Sequence, residues 1–349
     1  MTLGASKEEI SQGIPYVIMN IIASFAFLVG IALIYGHTGN LNMAYLASLL
    51  RKTEWTFGIR TASVFLFFAF AVKAALFPVF FWLPKSYPAV PGVIGALFSA
   101  LLTKVGVYSL LRIFTLIFPI ARDPNLQHIL YYCSLATMVI GVLGAVAQNS
   151  MKRILSVHII SQVGYMTWGL ALFSPISLGA ALFYMVHNMV VKSNLFLISG
   201  LVEELEGTDK LSQLGGLLKK NPFFSALFLL SALSLAGFPP LSGFFAKVFL
   251  IKESLGLEDF LGVSIAIGVS LLTLFSMTKI WNEVFLKEKE DVQSTLFPVG
   301  VGMAPILFLA LFAVLLGALS GPIYETFIAA GEGLYDPSAY ILAVIGEAG

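Results

Sequence analysis

Runs of about 20 apolar residues follow one another along most of this chain, parted only by short polar breaks. Each run has the length a helix needs to cross roughly 30 Å of hydrocarbon. Inside a bilayer no water is present to satisfy backbone donors and acceptors, so each run must satisfy them within itself, as a helix. Composition points the same way: 58% of the 349 residues are hydrophobic and 11% are charged, whereas soluble domains carry about 25% charged residues. The expected fold class is an all-α polytopic membrane protein.

About nine spans are expected, at 14–35, 60–82, 91–117, 129–147, 152–172, 176–201, 222–252, 261–284 and 298–320. Two of them should be broken. The seventh contains Gly237-Phe238-Pro239-Pro240-Leu241-Ser242-Gly243, where two prolines remove backbone donors; the second contains Pro78, with Pro84 soon after. Such backbone survives at membrane depth only when it is buried in protein or lines a wet cavity. Pro239 and Pro240 read first as the opening of a site and second as a plain kink. The longest breaks, 36–59 and 203–221, are too short to fold alone, so residues 1–349 form a single membrane domain. The broken spans lie five spans apart, and the expectation is that they mark corresponding positions of two repeats, although the two stretches share little sequence. Part of a first repeat would occupy 1–118, a second 129–284, and a terminal helix with an outer tail 298–349.

Lys7, Lys85, Lys152, Arg153, Lys210, Lys219, Lys220, Lys287 and Lys289 fall on one side of these spans, and Arg51, Lys52, Arg60, Arg122 and Lys252 on the other. Positive loops stay in the cytoplasm, so the N-terminus is expected there and the acidic C-terminal segment, with Glu325, Glu332, Asp336 and Glu347, outside. Met1 to Gly13 shows no cleavage pattern, and the first helix is expected to be retained. Net charge is +1, without a basic stripe interleaved with aromatics, so nucleic acid is not an expected partner. Cys133 is the single cysteine, which rules out a thiolate metal site or an internal disulfide. Phosphate-loop, zinc, haem and iron–sulfur spacings are missing, so no cofactor or metal is expected.

The chemistry resides in cations placed inside the apolar runs: Lys73, Lys104, Lys192, Lys247 and, nearer a span end, Lys279. Each lysine at a bilayer centre costs about 2.5–3.5 kcal/mol. Lys279 is close enough to an end to reach the headgroups with its stem. Desolvation disfavours an ammonium ion, and a neighbouring charge changes that balance, so a row of such groups joined by water can pass a proton along. Histidine, with a reference pKa of about 6.5, suits an intermediate station, and His158 and His187 both lie within spans. His187 and Lys192 are five residues apart, roughly 140° around a helix, so they cannot share one stripe, while Asn188 can sit beside Lys192. Ser156, Ser161 and Gln162 give His158 polar company. No Asp or Glu occupies the middle of a span, which makes this a poor site for sodium, a cation of oxygen ligands.

Ala71-Val72-Lys73-Ala74-Ala75-Leu76-Phe77-Pro78 with Trp82-Leu83-Pro84, Leu102-Thr103-Lys104-Val105-Gly106-Val107-Tyr108, and Ala236-Gly237-Phe238-Pro239-Pro240 through Lys247 together resemble the antiporter-like subunits shared by respiratory complex I, membrane-bound hydrogenases and Mrp-type cation/proton antiporters. Asp336-Pro337-Ser338-Ala339-Tyr340-Ile341 resembles the tail of the Mrp D-type subunits. The resemblance implies an antiporter-like inverted-repeat fold truncated at the N-terminus, since family members usually have about fourteen helices and this chain matches from about the sixth. The glutamate-bearing helix of the first repeat should come just before Met1, and Asn188 stands where a second histidine is usual. The expectation is a fragment, an internally started product, or helices supplied by another polypeptide.

By the same resemblance, Lys73 is the central lysine of the first broken helix, Lys104 the bridging lysine, and Lys247 the terminal lysine of the second broken helix, with His187 and Lys192 on the axis between them. The implied function is proton translocation in a multisubunit sodium/proton antiporter of the plasma membrane, not an enzyme, with A, B, C, E, F and G type subunits as partners beside lipid, protons and Na+. The alternatives are the equivalent subunit of a hydrogenase or complex I, a non-pumping assembly subunit, and a carrier of anionic solutes.

Overall fold

A computed structural model describes residues 7–288 and 302–346. Lys289, Glu347 and positions 298–301 of the ninth expected run lie outside the described residues, as does the side chain of Lys7. The chain forms helices α1 (Lys7–Thr38), α2 (Met43–Lys52), α3 (Phe57–Ala74), α4 (Leu83–Ser86), α5 (Gly92–Leu116), α6 (Pro124–Val146), α7 (Met151–Leu172) and α8 (Pro175–Glu206). There follow α9 (Leu217–Lys220), α10 (Pro222–Ala236), α11 (Ser242–Gly256), α12 (Phe260–Ile280), α13 (Met303–Ala318), α14 (Ser320–Tyr335) and α15 (Ser338–Ile345). Among the described residues the one strand-like contact is an isolated bridge between Ser150 and Lys210.

Starts and stops follow local chemistry. Asn42, Thr56, Asp123, Ser150, Asn221 and Asp259 each accept a backbone N–H from the first turn of the helix they open, and Ser174 forms a reciprocal capping box with Ser177. Both anticipated breaks are present. The first follows α3, where Ala75 turns left-handed at φ 59° and irregular backbone runs to Trp82; the second separates α10 from α11 at Gly237–Leu241.

Six helices are long and apolar enough to cross a membrane singly, and α13 with α14, bent by 82°, makes a seventh candidate. The two other expected spans depart from that standard for different reasons. α7 carries Lys152, Arg153, His158 and Gln162, and it is buried along nearly its whole length, so it needs no lipid-facing apolar surface. α10 and α11 have 15 residues each, about 22 Å apiece at 1.5 Å per residue, and can cross the bilayer only as a pair. The segment read as a tail forms α14 and α15, and α14 packs along α8, where Gly179 meets the backbone at Phe327 and Ile328. Phe25, Leu28, Leu271 and Phe275 are exposed on α1 and α12, the positions a lipid-facing surface requires.

Candidate functional site

α7 and α8 form the buried axis of the bundle, and α5, α11 and α12 pack against it. Lys104, Lys192 and Lys247 are at most 4% exposed, and His158 and His187 at most 1%. These five of the six sequence-predicted groups therefore lie inside protein. They are also near one another: His187 is within electrostatic range of Lys104 and Lys247, Lys192 of Lys104, and His158 of Lys192 and Lys247.

Each ammonium is held by backbone. Lys104 Nζ donates to Ser99 O at 2.5 Å, and Lys192 Nζ donates across to Leu155 O of α7 at 3.1 Å. Lys247 Nζ donates to Ala236 O at 2.6 Å and Leu235 O at 3.2 Å. In an unbroken helix those two carbonyls would accept the N–H groups of residues 239 and 240. Both positions are proline and have no N–H. The proline pair thus leaves two carbonyls at the negative end of α10 without an intrahelical partner, and Lys247 takes them. Lys247 Nζ also lies 5.6 Å from the Tyr165 ring centroid, within cation–π range.

The 140° offset between His187 and Lys192 has a structural outcome. Lys192 turns to α7, whereas His187 Nδ1 meets Ser242 Oγ at the start of α11 at 2.9 Å, and Ser242 Oγ lies 3.1 Å from Ser234 Oγ of α10. Gly243 makes this closeness feasible, because a Cβ there would lie 1.7 Å from Ser234 O and 3.0 Å from His187 Cε1. The partner of His158 is not the neighbouring Ser161 or Gln162: its Nε2 meets Ser276 Oγ of α12 at 2.5 Å, while Gln162 Oε1 accepts the Tyr184 hydroxyl at 2.5 Å. Tyr184 stacks on Tyr165 with centroids 5.0 Å apart and meets His187 in a T-shaped pair at 5.9 Å. These tyrosines were not candidates from sequence, because an aromatic in an apolar run is ordinarily packing.

Lys73 is placed differently. It is the penultimate residue of α3, half-buried, with its ammonium on the Asn20 side-chain oxygen of α1. Both border a pocket of about 320 Å³ that also takes in Tyr16, Ser24, Trp82 and Ser109. Gly106 of α5 brings this end of α3 against the lysine row, since a Cβ there would lie 2.4 Å from Ala74 N. Trp82 Nε1 donates to Val72 O at 3.0 Å and ties the break back onto α3. Lys279 closes α6 instead of joining the row: its Nζ donates to Val146 O, Gln148 O and Asn149 Oδ1 at 3.1, 2.7 and 3.0 Å.

Eight buried side-chain atoms lack a hydrogen-bonding partner among the described residues: Thr103 Oγ1, His158 Nδ1, Gln162 Nε2, His187 Nε2, both polar atoms of Asn188, Asn194 Oδ1 and Ser199 Oγ. They cluster on α5, α7 and α8, the helices that carry Lys104, His158 and Lys192. Buried polar groups require partners, and bridging water suits a site this polar.

The sequence pattern of the NADH:quinone oxidoreductase/Mrp antiporter transmembrane family matches residues 1–273. The chain belongs to this family. Within it, the chain falls with the D-type subunits of the Mrp antiporters: it is 43% identical to the D-type Na(+)/H(+) antiporter subunit of Alkalihalophilus pseudofirmus over 350 residues, covering 99% of this chain and 70% of that relative. A chain of the Mrp complex from Dietzia sp. DQ12-45-1b superposes with a TM-score of 0.89 at 36% identity, covering 98% of this chain and 71% of that one. A chain of the membrane-bound sulfane sulfur reductase, an archaeal respiratory membrane complex, superposes with a TM-score of 0.90 at 28% identity, covering 97% and 69%. The antiporter-like fold and the D-type resemblance are thereby established, and the chain is a multi-pass membrane subunit of a cation/proton antiporter.

The stretch that carried the D-type resemblance clasps the bundle. Arg112 of α5 lies over the Tyr340 ring at 4.3 Å. Hydrogen bonds from the Ser338 hydroxyl and N–H hold the Asp336 carboxyl below the usual carboxylate range, with Arg51 beside it adding to the effect.

Proposed function

We propose that this chain relays protons across the plane of the membrane through Lys104, His187, Lys192 and Lys247, with Lys73 at one end and His158 at the side, coupled to Na+ movement in a complete antiporter. The supporting observation is the row itself: three lysine amino groups and two imidazoles buried together, held by backbone carbonyls and serine hydroxyls, with polar atoms on the same helices that have no partner among the described residues. A static structural role would be served by carboxylate partners. Lysines that share one low-dielectric region repel one another, so adding a proton to one favours its loss from the next. Carbonyls and hydroxyls stabilise an ammonium without locking it into an ion pair, which keeps each station able to change state.

In this reading the chain is a transport subunit and not an enzyme, it sits in the plasma membrane with the lysine-rich ends of its helices in the cytoplasm, and its partners are the A, B, C, E, F and G type subunits. Residues 1–118 and 129–284 act as two repeats, each contributing a broken helix. The testing experiment is sodium-dependent proton transport in inverted vesicles holding the complete complex with Lys247→Ala. Loss of at least tenfold with intact assembly is expected; native activity overturns the relay and leaves Lys247 as a cap on α10. A second reading, in which redox energy powers the subunit, is favoured by the TM-score of 0.90 to the sulfane sulfur reductase chain. Proton movement that needs an electron donor and ignores sodium would select it.

A further inference from the structure

A relay buried this deeply needs an entrance. A cavity of about 920 Å³ opens where the start of α5, the end of α6, the start of α7 and the end of α8 meet, and Lys152 and Glu203 line it. Their side chains form an ion pair in which that of the lysine is 4% exposed and that of the carboxylate 39%. Lys152 Nζ also donates to Val90 O at 3.2 Å. The lysine is thus fixed in the wall while the carboxylate faces the cavity. The segment after α8 is stitched onto the start of α7: Met151 N donates to Asp209 O at 2.9 Å, Leu211 N to Asn149 O at 3.1 Å, and the Ser150 hydroxyl bonds the Asp209 carboxylate.

Beyond the pair, α8 carries Asn188, Lys192, Ser199 and Glu203. At about 100° per residue these four fall within about 60° of one another. The stripe faces α7, since Glu203 pairs with Lys152 and Lys192 donates to Leu155 O. Ser199 is 1% and Asn188 0% exposed, and Ser199 Oγ and both polar atoms of Asn188 have no partner among the described residues. Glu203 and Lys192 are separated by about 16 Å along the helix, too far for a direct hop, and Ser199 stands between them.

We propose that Glu203 is the proton-loading group of this subunit and that the Lys152–Glu203 pair gates the passage from the cavity to Ser199 and Lys192. Protonation of Glu203 neutralises the carboxylate, releases it from Lys152 and opens the wall; the proton passes from the carboxyl to water held by Ser199 and on to the neutral amine of Lys192. Re-forming the ion pair closes the path behind it. This rests on the relay reading above, so the test separates the two.

The test uses the complete complex in inverted vesicles, with Cys133→Ser and Ser199→Cys, and a small cationic thiol reagent added from the side of the cavity. Labelling of Cys at 199 should be slow with the pair intact and at least tenfold faster with Glu203→Gln, and Lys152→Gln should reproduce the increase if Glu203→Gln does not assemble. On the native serine background, Glu203→Gln should lower sodium-dependent proton transport at least tenfold and Glu203→Asp should restore most of it. Labelling at one unchanged rate in all variants, or native transport in Glu203→Gln, overturns the gate. Loss of transport in Lys247→Ala beside native transport in Glu203→Gln removes the gate and keeps the relay; native transport in Lys247→Ala removes the relay, and the labelling rates still decide whether the pair controls access.

Discussion

Single residues in this molecule divide into those whose role follows from their neighbours in sequence and those whose partners come from far away. Lys247 is of the first kind, because Pro239 and Pro240 stand four residues after Leu235 and Ala236, and the carbonyls that the prolines cannot serve are the ones the ammonium takes. Asn20 is of the second kind: it is a neutral amide in an apolar run, and nothing local marks it as the partner of Lys73, 53 positions on. Asp259 is likewise invisible in sequence, since it sits at a span boundary where a polar residue is ordinary. In the fold its carboxylate accepts from the Tyr131 hydroxyl at 2.5 Å, Trp168 Nε1 at 3.0 Å, Ser254 Oγ at 3.0 Å and Gly262 N at 2.8 Å. It joins α6, α7, α11 and α12 at one end of the bundle. Hydrogen bonds to a charged group contribute about 1.5–3 kcal/mol each, so Asp259→Ala should lower the melting temperature of the purified complex by several degrees. A melting temperature equal to that of the native complex would remove Asp259 from the supports of the fold.

Elements here are defined as much by where they stop as by where they run. The break between α10 and α11 was legible because two adjacent prolines cannot continue a helix. What the sequence could not show is that the freed carbonyls face Lys247, because that depends on how α11 folds back. Pro239→Ala with Pro240→Ala restores two N–H groups to the positions that would bond Leu235 O and Ala236 O. The expected outcome is a longer α10, competition with Lys247 for its acceptors, and at least a tenfold loss of sodium-dependent proton transport in an assembled complex. Native transport in the double variant would show that the carbonyls are dispensable. α7 teaches the opposite lesson: its hydropathy is weakened by Lys152, Arg153, His158 and Gln162, yet the run was recognisable as a span by length. The buried surroundings that tolerate those groups come from α6, α8, α5 and α12, which pack around it.

At the scale of the whole molecule, basic residues separate to the two ends of the helices. Lys152, Arg153 and Lys210 gather at the 920 Å³ cavity, and Lys287 donates to Ser212 O nearby. Toward the other end, Arg51 donates to Thr115 O at 2.8 Å and Arg122 to Leu50 O at 2.5 Å. These arginines serve as structural caps on backbone, whereas the first group lines an open polar mouth. The positive-inside rule counts charge near span ends, and the proposed orientation, with the more numerous lysine-rich set in the cytoplasm, rests on it. Lys85 and Lys252 are both exposed and lie on opposite sides in this assignment, so they report it directly. With Cys133 replaced by serine, Lys85→Cys should react with an impermeant thiol reagent in inverted vesicles and not in intact cells, and Lys252→Cys should show the reverse. The opposite pattern would turn the molecule over and place the Glu203 cavity on the outer face.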